Sequence, residues 1–330
     1  MAVNKVKLFI ENKILDMIAD DDVRIWRKPW LFKDADRAYK GERYNGVNAV
    51  VTSLARLYYG LESHVWLTNT KIEALNGRVW NDEKKRMVKV ANTETFYHVK
   101  KGSKGIPICY WGQKELKDEN GEYILDEDGE IKTLPFLMYY TVFNASSVAG
   151  LENVVDKMEN AGKRIDDNDK LSALEFEKKI LSLYEDAPEV VHNSDAAFYN
   201  RNFDKICLPP VSTFESRNAY IATLVHELGH STGVKKRLNR AYYRIDRDEV
   251  EEIDTAKEEL VAEFTSAFVL AHYGINETVD NSAAYIKDWN EVLKDHPGML
   301  FDAISAADKA TALILGRNKE KEEKKETAIV

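Results

Sequence analysis

The segment LVHELGHSTG, residues 224–233, places His226 and His230 four positions apart, with Glu227 directly after the first histidine. Residues i and i+4 share one face of a helix, so the two imidazoles can present nitrogens to one ion. Glu227 projects beside them, where a carboxylate can take a proton from water whose pKa a bound metal has lowered. The chemistry these residues suggest is metal-assisted hydrolysis, with one Zn2+ per chain. Glu227 is the candidate catalytic base.

Two histidines leave a zinc site incomplete. DTAKEELVAEFTSAFVLAHYG, residues 254–274, offers Glu259 and Glu263, four apart on one face of a second helix. Thr255 with Glu258 reads as its capping box and Gly274 as its stop. Glu259 is assigned as third ligand. Glu263 is assigned as the carboxylate that orients a ligand histidine through its other ring nitrogen. Glu258 lies about 100° further round the helix and is the alternative ligand. Ala262, Ser266 and Ala267 are small enough to let the two helices approach closely. The first helix is expected to open on a Ser212/Glu215 capping box and to end near Gly233. Tyr243 and His272 are candidate donors to a transition-state oxyanion. His64, His98, His192 and His296 have no ligand-like neighbours and read as structural.

A site that cleaves peptides must also hold an extended chain, and an exposed strand edge can do that by pairing with it. DAAFYNRNFDKICLPP, residues 195–210, has hairpin character just upstream of the histidine helix. It reads either as that edge or as a core hairpin with no substrate role.

The 330 residues are enough for two domains of ordinary size. A content of 44% hydrophobic and 31% charged residues is that of a globular chain. No basic leader with an apolar core opens the sequence, and no apolar run approaches about eighteen residues. The expectation is a protein of the host cytoplasm without a membrane partner. Cys109 and Cys207, the two cysteines, belong to no CxxC pair and read as buried free thiols. Charge is uneven: residues 1–110 carry 20 Lys+Arg against 13 Asp+Glu, while the chain as a whole has net charge −9. A basic front and an acidic back suggest different partners.

The pattern reads as α+β. A helix is expected over 3–19, a second in AVVTSLARLYYG, then a short helix and strands to about residue 150, forming one domain. Between the last two strands, Asn120-Gly121 and Asp128-Gly129 mark an acidic surface hairpin. Residues 151–186 read as a charged helical connector, 187–316 as the domain carrying the metal motif, and 317–330 as a disordered charged tail.

In the front domain aromatic and cationic residues interleave: Trp26, Trp30, Tyr44 and Trp66 with Arg27, Lys28, Arg43, Lys100, Lys101 and Lys104. Single-stranded nucleic acid stacks its bases on exposed rings while cations follow its phosphates. The same aromatics could equally fill a small core.

Taken together, WRKPW, YNGVNAV (containing Asn48), VWLTN, HVKKGSKGIPICYW and YYTVFNASSVAGL in front, followed by DKICLPP, TLVHELGHSTGVKKRLNR, EELVAEFTSAF and AAYIKDWNEVL, resemble the ArdC antirestriction family of plasmids and phages. The resemblance covers most of residues 20–315. It implies an N-terminal single-stranded-DNA-binding domain and a C-terminal zincin-like metallopeptidase domain of gluzincin type. His226, His230 and Glu259 would then be the ligands and Glu227 the base. The resemblance also adds Asn48 to the DNA-binding candidates. The partners implied are single-stranded DNA and a protein substrate, in a protein that could be delivered with incoming DNA. The rival reading is a non-proteolytic DNA-protecting protein whose zinc is structural.

Overall fold

The computed structural model describes residues 2–18, 36–41, 43–126, 129–151, 171–240, 252–275, 293 and 295–317. The expected helix at the amino terminus is α1, Ala2–Ile18. Next come β1, Arg37–Ala38, and α2, Gly46–Tyr58, which begins three residues earlier than its apolar run. Strand β2, Val65–Thr68, runs into α3, Asn69–Leu75, where the Thr68 hydroxyl accepts the Lys71 N–H and satisfies an otherwise unpaired donor. A separate hairpin follows, β3, Arg78–Asn81, with β4, Arg86–Lys89. After β5, His98–Val99, the long strands β6, Ile106–Glu115, and β7, Thr133–Asn144, pair along their whole length. The short β8, Val148–Ala149, pairs with β5. The main sheet runs β1-β2-β7-β6, with β1 parallel to β2 and the rest antiparallel.

The acidic hairpin expected between β6 and β7 is two successive turns of one design. Asp118 and Asp126 each receive the N–H of the glycine three residues on, while their side chains accept the N–H of Glu122 and Glu130. The repeat is visible in the sequence as DENGEY and DEDGEI.

The second half opens with α4, Ala173–Leu183, whose Ser172 and Glu175 form a reciprocal capping box. Strands β9, Glu189–Val191, β10, Phe198–Asn200, and β11, Lys205–Cys207, form a small sheet of order β10-β11-β9, in which β10 is an edge among the described residues. Among the described residues three further helices follow: α5, Arg217–Ser231, α6, Glu252–His272, and α7, Met299–Ile314. Two expected caps are corrected. Residues Val211–Thr213 close one short 3-10 turn, so Ser212 does not open α5; the Ser216 hydroxyl does, accepting the Ala219 N–H. Thr255 lies inside α6, which already runs from Glu252, so Thr255 and Glu258 do not start that helix.

Two large cores organise these elements. One gathers Ile10, Ile14 and Met17 of α1 with Val50 and Leu54 of α2, Trp66, Ile106, Val261 and Phe264 of α6, and Phe301 and Ile304 of α7. The front elements and the back helices therefore bury apolar surface against each other, which ties the two halves into one packed body. A buried polar contact reinforces the junction: the Glu11 carboxylate, from α1, accepts the Gly298 and Phe301 N–H groups at the start of α7. Burial pushes the Glu11 carboxyl above its usual pKa, against these backbone bonds. The second core joins Phe176 and Ile180 of α4 to Tyr220, Leu224 and Leu228 of α5. The helical part of the expected connector is thus part of the back half's core; residues 152–170 and 318–330 fall outside the described ones.

Cys109 and Cys207 are free but half-buried. Burial raises the Cys109 thiol to about 11, so it stays protonated at neutral pH. His64 and His192, read as structural, bond to Asp36 and to the Glu177–Tyr220 pair respectively. Among the described residues no helix is long and apolar enough to cross a membrane.

Candidate metal centre

Helices α5 and α6 cross where Gly229 meets Ala262. A Cβ added at Gly229 would lie 3.0 Å from the Ala262 Cα and 3.3 Å from the Thr265 Cβ, so a larger residue would push the helices apart by a few tenths of an ångström. Ser266 also donates its hydroxyl to the Ala222 carbonyl across the crossing. This contact sets the depth at which the histidines of α5 face the carboxylates of α6.

His226, His230 and Glu259 converge there. The two Nε2 atoms are 3.1 Å apart. Glu259 Oε2 is 3.5 Å from His226 Nε2, and Oε1 is 3.5 Å from His230 Nε2. A tetrahedral zinc ion with bonds of about 2.0–2.1 Å spaces its donors by roughly 3.3 Å, which is the size of this triangle. The outer ring nitrogens are engaged as well. His226 Nδ1 is 3.5 Å from Glu263 Oε1, and His230 Nδ1 is 3.3 Å from Glu258 Oε1. Carboxylates at both Nδ1 positions can hold the ring protons there, which would free both Nε2 atoms to turn lone pairs toward one cation beside Glu259.

Glu258 is thus placed away from the ion position, behind His230. Arg240 grips it, Nε to Oε2 at 2.9 Å and Nη2 to Oε1 at 2.5 Å, and also donates to the Thr232 hydroxyl and the Gly229 carbonyl. Arg240 was not singled out from sequence. It is one of four cations in KKRLNR, which local sequence does not tell apart, and only the return of the chain after α5 brings it against Glu258. Because Glu258 touches the ligand without being within the donor triangle, Glu258→Gln is expected to weaken metal binding about 10-fold. A chelator competition measures this; unchanged affinity would remove Glu258 from the orienting role.

Glu227 is buried on the same helix, and the Tyr199 N–H donates to it. Burial raises its pKa, partly offset by His230 and His226. Burial would lower the pKa of His226, but its hydrogen bond to Glu259 and the nearby Glu263 and Glu227 carboxylates outweigh this and raise it. Glu259 is pulled below its ordinary value despite burial, chiefly by the bond to His226.

An open cleft of about 470 Å3 leads to these groups, with Phe198 and Tyr199 of the edge strand β10 along one wall. The β10–β11 turn is locked by Arg237, whose guanidinium donates to Asp204 at 2.7 and 2.9 Å, while the Tyr199 hydroxyl also donates to Asp204. Of the two readings left open for this hairpin, the edge beside the metal centre is the one its position fits.

The remaining candidates separate. His272 is thirteen residues beyond Glu259 on the same helix, about 20 Å along its axis, and pairs with Arg317. It cannot serve an oxyanion at the histidine pair. Tyr243, Trp26, Arg27, Lys28 and Trp30 lie outside the described residues. Trp66 is 1% exposed in the first core and has no face for a base. Asn48 spends its amide on the backbone of Cys109, donating to its carbonyl and accepting its N–H, which caps the free edge of β6. Tyr44 is largely covered, while Arg43, Lys100, Lys101 and Lys104 are exposed.

Residues 4–143 match the family described as the N-terminal domain of anti-restriction factor ArdC, and residues 182–306 match the zincin-like metallopeptidase family. The metal-free crystal structure of the antirestriction ArdC protein from plasmid R388 is 30% identical and superposes with a TM-score of 0.65, covering 92% of this chain and 96% of that one. Its Mn(II)-bound form superposes with a TM-score of 0.64 at 27% identity, over the same shares of the two chains. The DNA primase TraC of Escherichia coli is 29% identical over 306 residues, 88% of this chain; the chain spans only 18% of that primase.

Proposed function

Because this chain belongs to the ArdC antirestriction family, we propose that its back half is a zinc-dependent peptidase and its front half binds single-stranded DNA. The observation that carries the peptidase reading is the donor triangle of 3.1, 3.5 and 3.5 Å, with Glu227 beside it and outside the ligand set. A purely structural metal would not need a further buried carboxylate at that place.

Zinc bound there supplies Lewis acidity, lowering the pKa of water and polarising a scissile carbonyl. The chain's own groups do the rest. His226, His230 and Glu259 fix the ion. Glu263 and Glu258 hold the imidazoles by their Nδ1 protons, and Arg240 holds Glu258. Glu227 accepts the proton of the attacking water and passes it to the leaving amine. Strand β10 offers its open edge to an extended peptide, which orients the bond to be cut over Glu227.

The DNA-binding half of the reading rests on the family and on the exposed cations of the front region. A mobile element's antirestriction protein, acting in the host cytoplasm and arriving with its DNA, would combine the two activities on proteins met at the incoming strand.

The test is metal analysis of the purified chain together with cleavage of an unstructured protein substrate, with and without oligonucleotide. Stoichiometric zinc and chelator-sensitive cleavage are expected. Zinc at one per chain with no cleavage under either condition would favour the rival, a DNA-protecting protein with a structural metal.

A further inference from the structure

The front region's residues 78–104 carry eight Lys and Arg against three Asp and Glu. They fold into the β3–β4 hairpin and the turn that follows it, outside the main sheet. The hairpin is too small to have a core, and Trp80 stands 53% exposed on it. Phe96 is 64% exposed and stacks on His98, with ring centroids 5.5 Å apart and planes at 23°. A single exposed ring is ordinary, but exposed rings set among unpaired cations make a candidate interaction surface.

The two pieces are held together. Asn76, at the foot of β3, donates to the Tyr97 carbonyl and accepts its N–H, both at 2.7 Å. Gly77, at φ +69°, lets the Ala91 carbonyl approach to 2.4 Å from where a Cβ would be, and no other residue fits. The cationic turn is fixed beside them by the Lys100 N–H on the Ser147 carbonyl and by Gly102 at φ +88°. Among the described residues, Lys84, Lys85, Arg86, Lys89, Lys101 and Lys104 are all exposed and form no ion pair.

A second exposed aromatic strip exists on β6–β7, with Tyr110 and Tyr140. It runs out into residues 115–130, which hold eight carboxylates and one lysine. Charge decides between them: phosphates are repelled there and attracted to the β3–β4 side.

We propose that the β3–β4 hairpin and the Phe96–Lys104 turn form the stacking surface for single-stranded DNA, and that Trp80 and Phe96 select single strands over duplex. This rests on the DNA-binding reading above. An unpaired base has a free face to lay on a ring, whereas a base inside a duplex has both faces covered by its neighbours. The unpaired cations serve either form through phosphate alone. The rings therefore set the discrimination, and the cations set the overall affinity and its salt dependence.

The test measures binding of the full chain to a fluorescent oligo(dT), to a duplex of equal length and to an oligo(rU), over a series of salt concentrations. In the double variant Trp80→Leu/Phe96→Leu, single-strand affinity is expected to fall at least about tenfold with duplex affinity unchanged. In Lys84→Glu/Lys85→Glu, at an exposed turn whose change cannot unfold a core, both affinities should fall together and the salt dependence should become shallower. Wild-type discrimination in the leucine variant, or wild-type affinity in the charge-reversed one, overturns the proposal. Tighter binding of oligo(rU) than oligo(dT) overturns it by making RNA the occupant. A wild-type chain that binds no single strand overturns the DNA-binding reading itself, and with it this surface.

Discussion

Glu227→Gln is expected to lower peptide hydrolysis by about 10²–10⁴-fold while leaving the metal bound. Glutamine keeps the volume of the side chain, and its carbonyl can still accept the Tyr199 N–H, so the helix and the three ligands are undisturbed. It cannot take a proton from water. The loss corresponds to about 3–5 kcal/mol of transition-state stabilisation, which is what a positioned base supplies. Metal content by mass spectrometry and initial rates on one preparation measure it. Full hydrolysis with metal bound would mean that the proton goes elsewhere. If instead neither protein cleaves, but both protect single-stranded DNA equally, the centre is structural.

Phe301→Ala should cost about 3–5 kcal/mol of folding stability. The ring is 1% exposed in the core that α1, α2 and the main sheet share with α6 and α7. Truncation removes its buried surface and leaves a cavity that rigid helices on several sides fill poorly. Since that core belongs to both halves, tryptophan fluorescence and metal release should move together in denaturant, as one transition at lower midpoint. Two separated transitions, only one of them shifted, would show that the halves unfold independently.

The candidate metal centre was legible because a helix turns spacing into geometry: His226 with His230, and Glu259 with Glu263, each lie on one face because they stand four positions apart. The α+β class followed from the same periodicities. Glu258, the alternative ligand by helix face, instead stands behind His230, a role that its helix position alone does not indicate. Two imidazoles at right angles, with planes at 81°, send their Nδ1 atoms in different directions, so each needs its own carboxylate. The cap of α5 was misplaced because Pro209 and Pro210 were followed by a 3-10 turn before the helix, with Phe214 extended between the two. Trp66 and Trp80 have the same side chain, and both belong to the front region's mixture of rings and cations, yet one is in the core and the other in water. Composition does not distinguish them; the former sits in a strand of the main sheet within the first core, the latter in a hairpin that no described residue covers.

By itself, then, the sequence determined the reactive pieces: a histidine pair with an adjacent base, a second helix bearing carboxylates, and a cationic front. Each is a property of residues within one or two helical turns, where backbone geometry leaves few choices. Only the tertiary structure decided which carboxylate serves which histidine, that Arg240 stands behind Glu258, which aromatics are free to stack, and that one core joins the halves. Those outcomes depend on contacts between residues far apart in the chain, such as Gly229 against Ala262 and Glu11 against the start of α7, and no local spacing encodes them.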